Sequence, residues 1–421
     1  MADSRVQIPE VYVLWHPACT IGASLATAIY KWLRPGYGLG PEVMYRSSPA
    51  PGAPAGHLPL PLPFERRAHG PTGSVMPSRR LVDSQVVIPL IDAHMVADPR
   101  WRYWLAELAD AGKGSSRKPF FVPVALDPTA YNIPPELAQL NFLRPTGLPA
   151  GAPAQPDEAT GDVSSQTERS LLKQLTEALY AHFMADLDQA SEPGATKISV
   201  FLSHAKTDGT TPARGLRDYI YSQTQLAAFY DENDIAFGAL FAKTLDDKLE
   251  SSRTAAMIVV RSAAYFERPW CRRELAMFRR PRKWLELNGV EHWRLHPVMV
   301  VDALQPGIRT RNIPELGNAP MMRWDEGADG MDEQIVTSLL RDALLANYHA
   351  ALGRALPAGP GSVVLNWLPD VVTLLQIPAL RNLEKEVQVY YPGRGLSGLE
   401  LSLLENLFPL ATFDSFDDVQ G

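Results

Sequence analysis

The chain has 421 residues with ordinary apolar and charged fractions of 46% and 21%, enough for two or three globular domains. Its formal net charge of −7 argues against a general nucleic-acid binder, which would be basic overall. Two cysteines, Cys19 and Cys271, cannot build a disulfide framework, no leader segment opens the chain, and no apolar run reaches the roughly 18 residues of a membrane span, so a cytoplasmic, soluble protein is expected.

In chain order, Val11–Trp15 predicts a strand and Ala23–Leu33 a helix. Proline, at 37 residues, exceeds the usual share of about 5%, and it concentrates in Ser47–Pro63 and Arg144–Ser165, which read as loops. Between them Ser84–Ile91 is a strand, and a helix, a strand and a long helix ending near Met184 follow. The alternation then begins again. Ile198–Ser203 is a strand, followed by a polar loop and a helix, and then by strands at Leu226–Asp231, Ala255–Ser262 and Leu295–Leu304 separated by helices. A helix through Glu333–Leu352 closes this pass, and Leu352–Val363 marks a boundary. Apolar strands alternating with helices predict an α/β fold with parallel sheets covered on both faces.

The two passes look like copies. "VYVLWHPA" matches "ISVFLSHA", placing His16 opposite His204, and "NIPPEL" in the first pass answers "NIPEL" in the second. The expected organisation is a first copy over 1–190, a second over 195–355, and a small α/β module over 360–421.

Within the second copy, "YFERPWCRREL" opens a helix on Trp270. Trp270 and Glu274 are four apart and share a helix face, while Cys271, Leu275 and Phe278 form the neighbouring apolar stripe. A glutamate there is either a snorkelling surface acid or a carboxylate placed for chemistry. For Trp270 and Cys271, core packing is the expectation. Ser203 and His204 fall at the carboxyl end of a strand, where open α/β sheets bind ligands. The basic run Arg272–Lys283 reads as a solvated helix face. His292 and His296 have metal-ligand spacing but precede a strand with Pro297 next, too few ligands for zinc.

Three ordered motifs, "VFLSHAKTD" (Val200–Asp208), "FYDENDIAFGALF" (Phe229–Phe241) and "RSAAYFERPWCRREL" (Arg261–Leu275), resemble the TIR (Toll/interleukin-1 receptor) domain family from Lys197 to Ala350. The resemblance is closest to the bacterial and plant-like branch and implies two flavodoxin-like domains. In that branch many members cleave NAD⁺ with the glutamate of the third motif, which implies Glu274 as the catalytic residue, NAD as substrate and no metal. It further implies nucleotide contacts from Ser203, His204, Lys206, Asp208, Asp234, Phe237 and Trp270. Asp231, Asp234, Phe237 and Gly238 would shape the family's BB loop, which gates the site and mediates assembly. Lys206 and Asp208 read equally as solvated loop charges. Self-association, low activity as a monomer, and a role in antiphage or cell-suicide defence are the family's implications. So are hydrolysis or cyclisation to a cyclic ADP-ribose product. Other TIR domains are non-catalytic scaffolds, which is the alternative function.

The first copy keeps His16 but has Trp15 and Pro17 where the second has Ser203 and Ala205. Aligning on Glu-Leu puts Glu107 opposite Glu274; aligning on Trp101 puts Leu105 there. It reads as a degenerate TIR-like domain for assembly or regulation. In the tail, Gly393, Gly395 and Gly398 make Gly-x-Gly-x-x-Gly between a strand and a helix, with Asp414 following. That is either a tight strand-to-helix turn or a nucleotide-sensing loop receiving an upstream signal, and a sensor protein is the other partner expected at this segment.

Overall fold

The computed structural model describes residues 8–35, 40–46, 82–111, 120–133, 137, 140–148, 164–187, 199–224, 227–230, 255–304, 313–325, 327–382, 384–393 and 395–419. The proline-rich stretch Ser47–Pro63 and the BB-loop residues Asp231, Asp234, Phe237 and Gly238 lie outside them. The chain divides into two compact units, with the boundary between Asp186 and Leu187.

The first unit is a parallel sheet. Strands β1 (Ile8–Trp15), β2 (Glu42–Arg46), β3 (Val82–Ile91) and β4 (Phe120–Phe121) lie in the order β2-β1-β3-β4, and β5 (Val124–Ala125) also pairs with β3. Its helices are α1 (Gly22–Leu33), α2 (Ala93–Ala97), α3 (Pro99–Ala111) and α4 (Ser165–Leu187). The unbroken apolar runs of β1 and β3 are buried, and Trp101, Trp104 and Leu105 of α3 close over Tyr12, Leu14 and Val87.

Both cysteines are free and buried. Burial, with Asp92 beside it, pushes the Cys19 thiol up to about 12 from an ordinary value of 9.0. Between those values the folded chain holds a proton that the unfolded chain has lost, so stability drains as pH rises. The expected slope is about 1.4 kcal/mol per pH unit above about pH 9. Urea unfolding of wild type and Cys19→Ala at pH 8 and pH 10 checks this. Equal losses in both proteins would refute it.

The second unit contains two sheets. The first orders β6 (Ser199–His204), β7 (Ala227–Tyr230), β8 (Ala255–Arg261), β11 (Val298–Asp302) and β12 (Met321–Arg323) as β12-β11-β8-β6-β7. All its pairings are parallel. In sequence rank this is the order 2-1-3-4-5 of flavodoxin-like folds. Helices α5 (Thr210–Gln223), α6 (Pro269–Phe278) and α7 (Met331–Ala355) accompany it.

The other sheet is non-local. Strands β9 (Arg282–Leu287) and β10 (Val290–Arg294) form a hairpin, and β10 pairs in parallel with β13 (Val363–Leu365) of the tail. Strands β14 (Val387–Tyr391) and β15 (Ala411–Ser415) complete the order β15-β14-β13-β10-β9. The tail helices are α8 (Val371–Leu374), α9 (Pro378–Arg381), α10 (Gly398–Leu407) and α11 (Phe416–Val419). Trp293 of β10 shares a core with Leu374, Val389, Leu404 and Phe408, so the tail is built around a hairpin from the middle of the unit.

This corrects the reading of Arg272–Lys283 as one helix face. Pro281 lacks the amide proton that a continuing helix needs, α6 stops at Phe278, and Arg282 and Lys283 belong to β9. The hairpin turns on Asn288 and Gly289, both at positive φ (51° and 77°), as a two-residue turn of primed type requires.

Among the described residues, no helix is long and apolar enough to cross a membrane.

Candidate functional site

In the 2-1-3-4-5 order the switch point lies between β6 and β8, where the connections leave in opposite directions and open a crevice at the strands' carboxyl ends. Ser203 and His204 end β6 there, and the chain leaving β8 runs through a 3₁₀ turn, Ala264–Glu267, into α6. Pro269 sits in the first turn of α6, where a missing amide proton costs nothing. The helix then buries Cys271, Glu274, Leu275 and Phe278, one stripe at i, i+3, i+4 and i+7. Glu274 therefore occupies a position that spacing alone would give to an apolar side chain, and it is 3% exposed.

A buried carboxylate needs donors. The Ser203 hydroxyl donates to Glu274 Oε2 at 2.7 Å. The Tyr265 hydroxyl lies 3.0 Å from Ser203 Oγ and donates to the Cys271 carbonyl at 3.2 Å. With the Ser203 proton committed to Glu274, the single Tyr265 proton is shared between Ser203 Oγ and the Cys271 carbonyl. Burial pushes the Tyr265 phenol well above its usual range, against the opposing hydrogen bond to Ser203, so at neutral pH it remains a donor. The Cys271 thiol donates to the His204 carbonyl at 3.5 Å, tying α6 to the end of β6. The result is a carboxylate fixed in direction at the head of the sheet, suited to electrostatic stabilisation of a cation.

Residues 200–329 match the sequence profile of the TIR domain. A comparison with curated proteins finds no match for the chain.

Within the TIR domain, structure joins Ser203, His204 and Glu274 and separates others from them. His204 is buried, at 5% exposure. Lys206 is on the exposed surface. Asp208 has a bracing role: it accepts from the Ser262 hydroxyl at 2.5 Å and the Ala264 amide at 2.9 Å, linking the loop after β6 to the loop after β8. Asp208→Ala is expected to cost about 1 kcal/mol of stability, a charged hydrogen bond discounted for its exposure, as read by urea unfolding. Trp270 corrects the expectation of core packing. It is 40% exposed, one turn before Glu274 at the helix start, with the Arg273 guanidinium stacked 5.3 Å from its ring centre. Cys271, by contrast, packs in the core with Tyr265, Leu275 and Phe278.

Sequence reasoning passed over Tyr265 as part of the hydroxyl relay. The signal was its position at the start of the third motif, but a tyrosine's partner 62 residues away in sequence is not written in local spacing.

In the first unit the corresponding strand ends carry His16 and Asp92. His16 lies 3.5 Å from Asp98 and stacks on His94 at 5.8 Å, while Asp92 accepts from the Met95 amide at the start of α2. Glu107 falls on α3, and its side chain lies outside the description. Among the described residues no group of three or more His, Cys, Asp or Glu side chains is placed to hold a metal ion.

In the tail, the glycine-rich loop connects β14 to α10. Its helix start is already occupied: the Ser397 hydroxyl accepts from the Glu400 amide, and Glu400 Oε2 accepts from the Ser397 amide at 2.9 Å. The Leu396 amide donates to the Tyr391 hydroxyl at 2.9 Å, and Asp414 accepts from Gln388 at 2.5 Å. A carboxylate thus sits where a phosphate would, and a Cβ on Gly398 would meet nothing, so no close backbone approach explains that glycine. The geometry is that of a capped strand-to-helix turn.

Proposed function

We propose that the TIR domain cleaves the nicotinamide–ribose bond of NAD⁺, with Glu274 as the catalytic carboxylate. The observation that carries this reading is a carboxylate 3% exposed at the switch point of the sheet, aimed by the Ser203 hydroxyl. Nicotinamide leaves a cationic pyridinium as a neutral molecule, so no general acid is needed, unlike ordinary glycoside cleavage with its two carboxylates. One anion in a partly shielded crevice stabilises the oxocarbenium-like transition state and orients ribose hydroxyls. Ser203, His204 and Lys206 border the nucleotide at the end of β6, and Trp270 flanks the entrance. Capture of the ribosyl cation by water gives hydrolysis, and capture within the molecule gives a cyclic product.

The first unit repeats the strand order 2-1-3-4, which supports reading it as a degenerate second TIR copy used for assembly or regulation. The tail sheet built on β10 and β13 then receives an upstream protein signal. In this reading the protein is a cytoplasmic, self-associating defence enzyme of the bacterial branch that stops growth by consuming NAD⁺. The rival reading is a non-catalytic TIR scaffold, favoured by the exposure of Trp270. Free nicotinamide released from NAD⁺ by concentrated protein separates the two. Release supports the enzyme; its absence at every protein concentration supports the scaffold.

A further inference from the structure

The hairpin of β9 and β10 gathers positive charge on one face. Cross-strand register sets Arg294 directly opposite Arg282, and a bulge at Trp284, the one extra residue in β9, turns that indole onto the same face. The Arg294 guanidinium lies 5.1 Å from the Trp284 ring centre, and the His292 ring meets Trp284 edge-on at 6.2 Å. The acids of the hairpin lie on the other face. There Lys283 donates to Glu286 at 2.9 Å and to Glu291 at 3.2 Å, and the Trp293 indole donates to Glu291 at 3.0 Å.

Helix α7 adds a third guanidinium. His292 pairs with Val364 in the parallel ladder of β10 and β13, and Gly353 of α7 rests on that valine so closely that a Cβ would come within 2.6 Å of Val364 Cγ1. The close approach brings the next residue, Arg354, near His292, whose pKa is lowered by burial and then by this guanidinium. Among the described residues, Arg354 Nε is buried without a hydrogen-bond partner. Burial lowers the Arg354 pKa with no carboxylate opposing it, whereas Asp370 opposes the same shift at Arg279. Arg282, Trp284, Arg294 and Arg354 are half-buried, so the face stays within reach of solvent. Three guanidiniums around one aromatic ring repel one another, and the arrangement is destabilising unless an anion offsets it.

We propose that this face binds an oligophosphate, free or as the polyphosphate of a nucleotide. Guanidinium forks match pairs of phosphate oxygens, and a chain of phosphates carries enough charge to offset all three arginines, which one carboxylate does not. The site is separate from Glu274 and does not rest on NAD⁺ cleavage. It adds a small-molecule ligand to the sheet that carries the tail.

Isothermal calorimetry of the full chain with inorganic tripolyphosphate tests this, with ATP and hexaglutamate as the other arms. Tripolyphosphate is expected to bind. Arg354→Gln should weaken that binding by about tenfold, the loss of one charge-assisted hydrogen bond. It should not lower the melting temperature, because it removes a buried, unpaired charge. Arg282→Gln serves where Arg354→Gln melts early. Lys206→Ala, in the TIR crevice, should leave the affinity unchanged. Equal affinity for ATP and tripolyphosphate places recognition in the phosphate chain alone; tighter ATP binding that Trp284→Ala abolishes adds the base. No binding of tripolyphosphate, affinity unaffected by Arg354→Gln, an equal loss with Lys206→Ala, or hexaglutamate binding as tightly as tripolyphosphate would each overturn the proposal.

Discussion

Glu274→Ala is expected to lower nicotinamide release by about 10²–10³-fold, the loss that follows removal of one preorganised electrostatic group. The same change should leave the melting temperature unchanged or raised. Glu274 sits among Cys271, Leu275 and Phe278, where an apolar or small side chain is cheaper to bury than a carboxylate. Ser203, losing its acceptor, still has the Tyr265 hydroxyl 3.0 Å away. A residue whose removal destroys activity while sparing stability is held there for chemistry. If Glu274→Ala instead melted the protein by several degrees with activity lost in proportion, Glu274 would be a structural acid. Glu107→Ala is expected to leave release at the wild-type rate, because the proposed reaction centres on Glu274. An equal loss in both variants would place catalysis in both units.

Arg279→Ala is expected to destabilise the second unit by about 3 kcal/mol, the usual cost of breaking one partner from a buried ion pair. Arg279 is 8% exposed, and its Nη2 lies 3.5 Å from Asp370 Oδ2. Burial lowers the Arg279 pKa while Asp370 opposes that shift. Asp370 also fixes the start of α8, accepting from the Thr373 amide at 3.0 Å and its hydroxyl at 2.8 Å. Gly317, at φ +53°, gives the guanidinium room, since a Cβ there would approach Nη2 to 2.9 Å. The ion pair fastens the end of α6, the helix of Glu274, to the tail module. Chemical denaturation of Arg279→Ala, Asp370→Asn and the double variant measures the coupling. Additive losses would show that the pair contributes no interaction of its own. Activity measured beside stability would show whether the tail holds Glu274 in place.

Much of the fold is legible in the sequence because burial faces are local properties. The apolar runs of β6, β8 and β11 are buried strands, and the helical spacing of Cys271, Leu275 and Phe278 locates the packed face of α6. Spacing put Glu274 beside that face and left open whether it was a surface acid; its burial rests on Ser203, 71 residues earlier. The Asn288-Gly289 turn was equally legible and was hidden only by the basic run preceding it.

By itself, then, the sequence determined most of the strands and helices around the site, which of their faces are apolar, and that one acid lies beside an apolar stripe. Tertiary structure decided the rest. It placed β10 beside β13, some 70 residues apart, because strand edges carry no address and pair where a common core can form. It turned Trp270 outward beneath Arg273, and gave Asp208 to the loop after β8. Each outcome depends on the partner that arrives across the fold, and a side chain's partner is fixed only when distant segments compete for the same space.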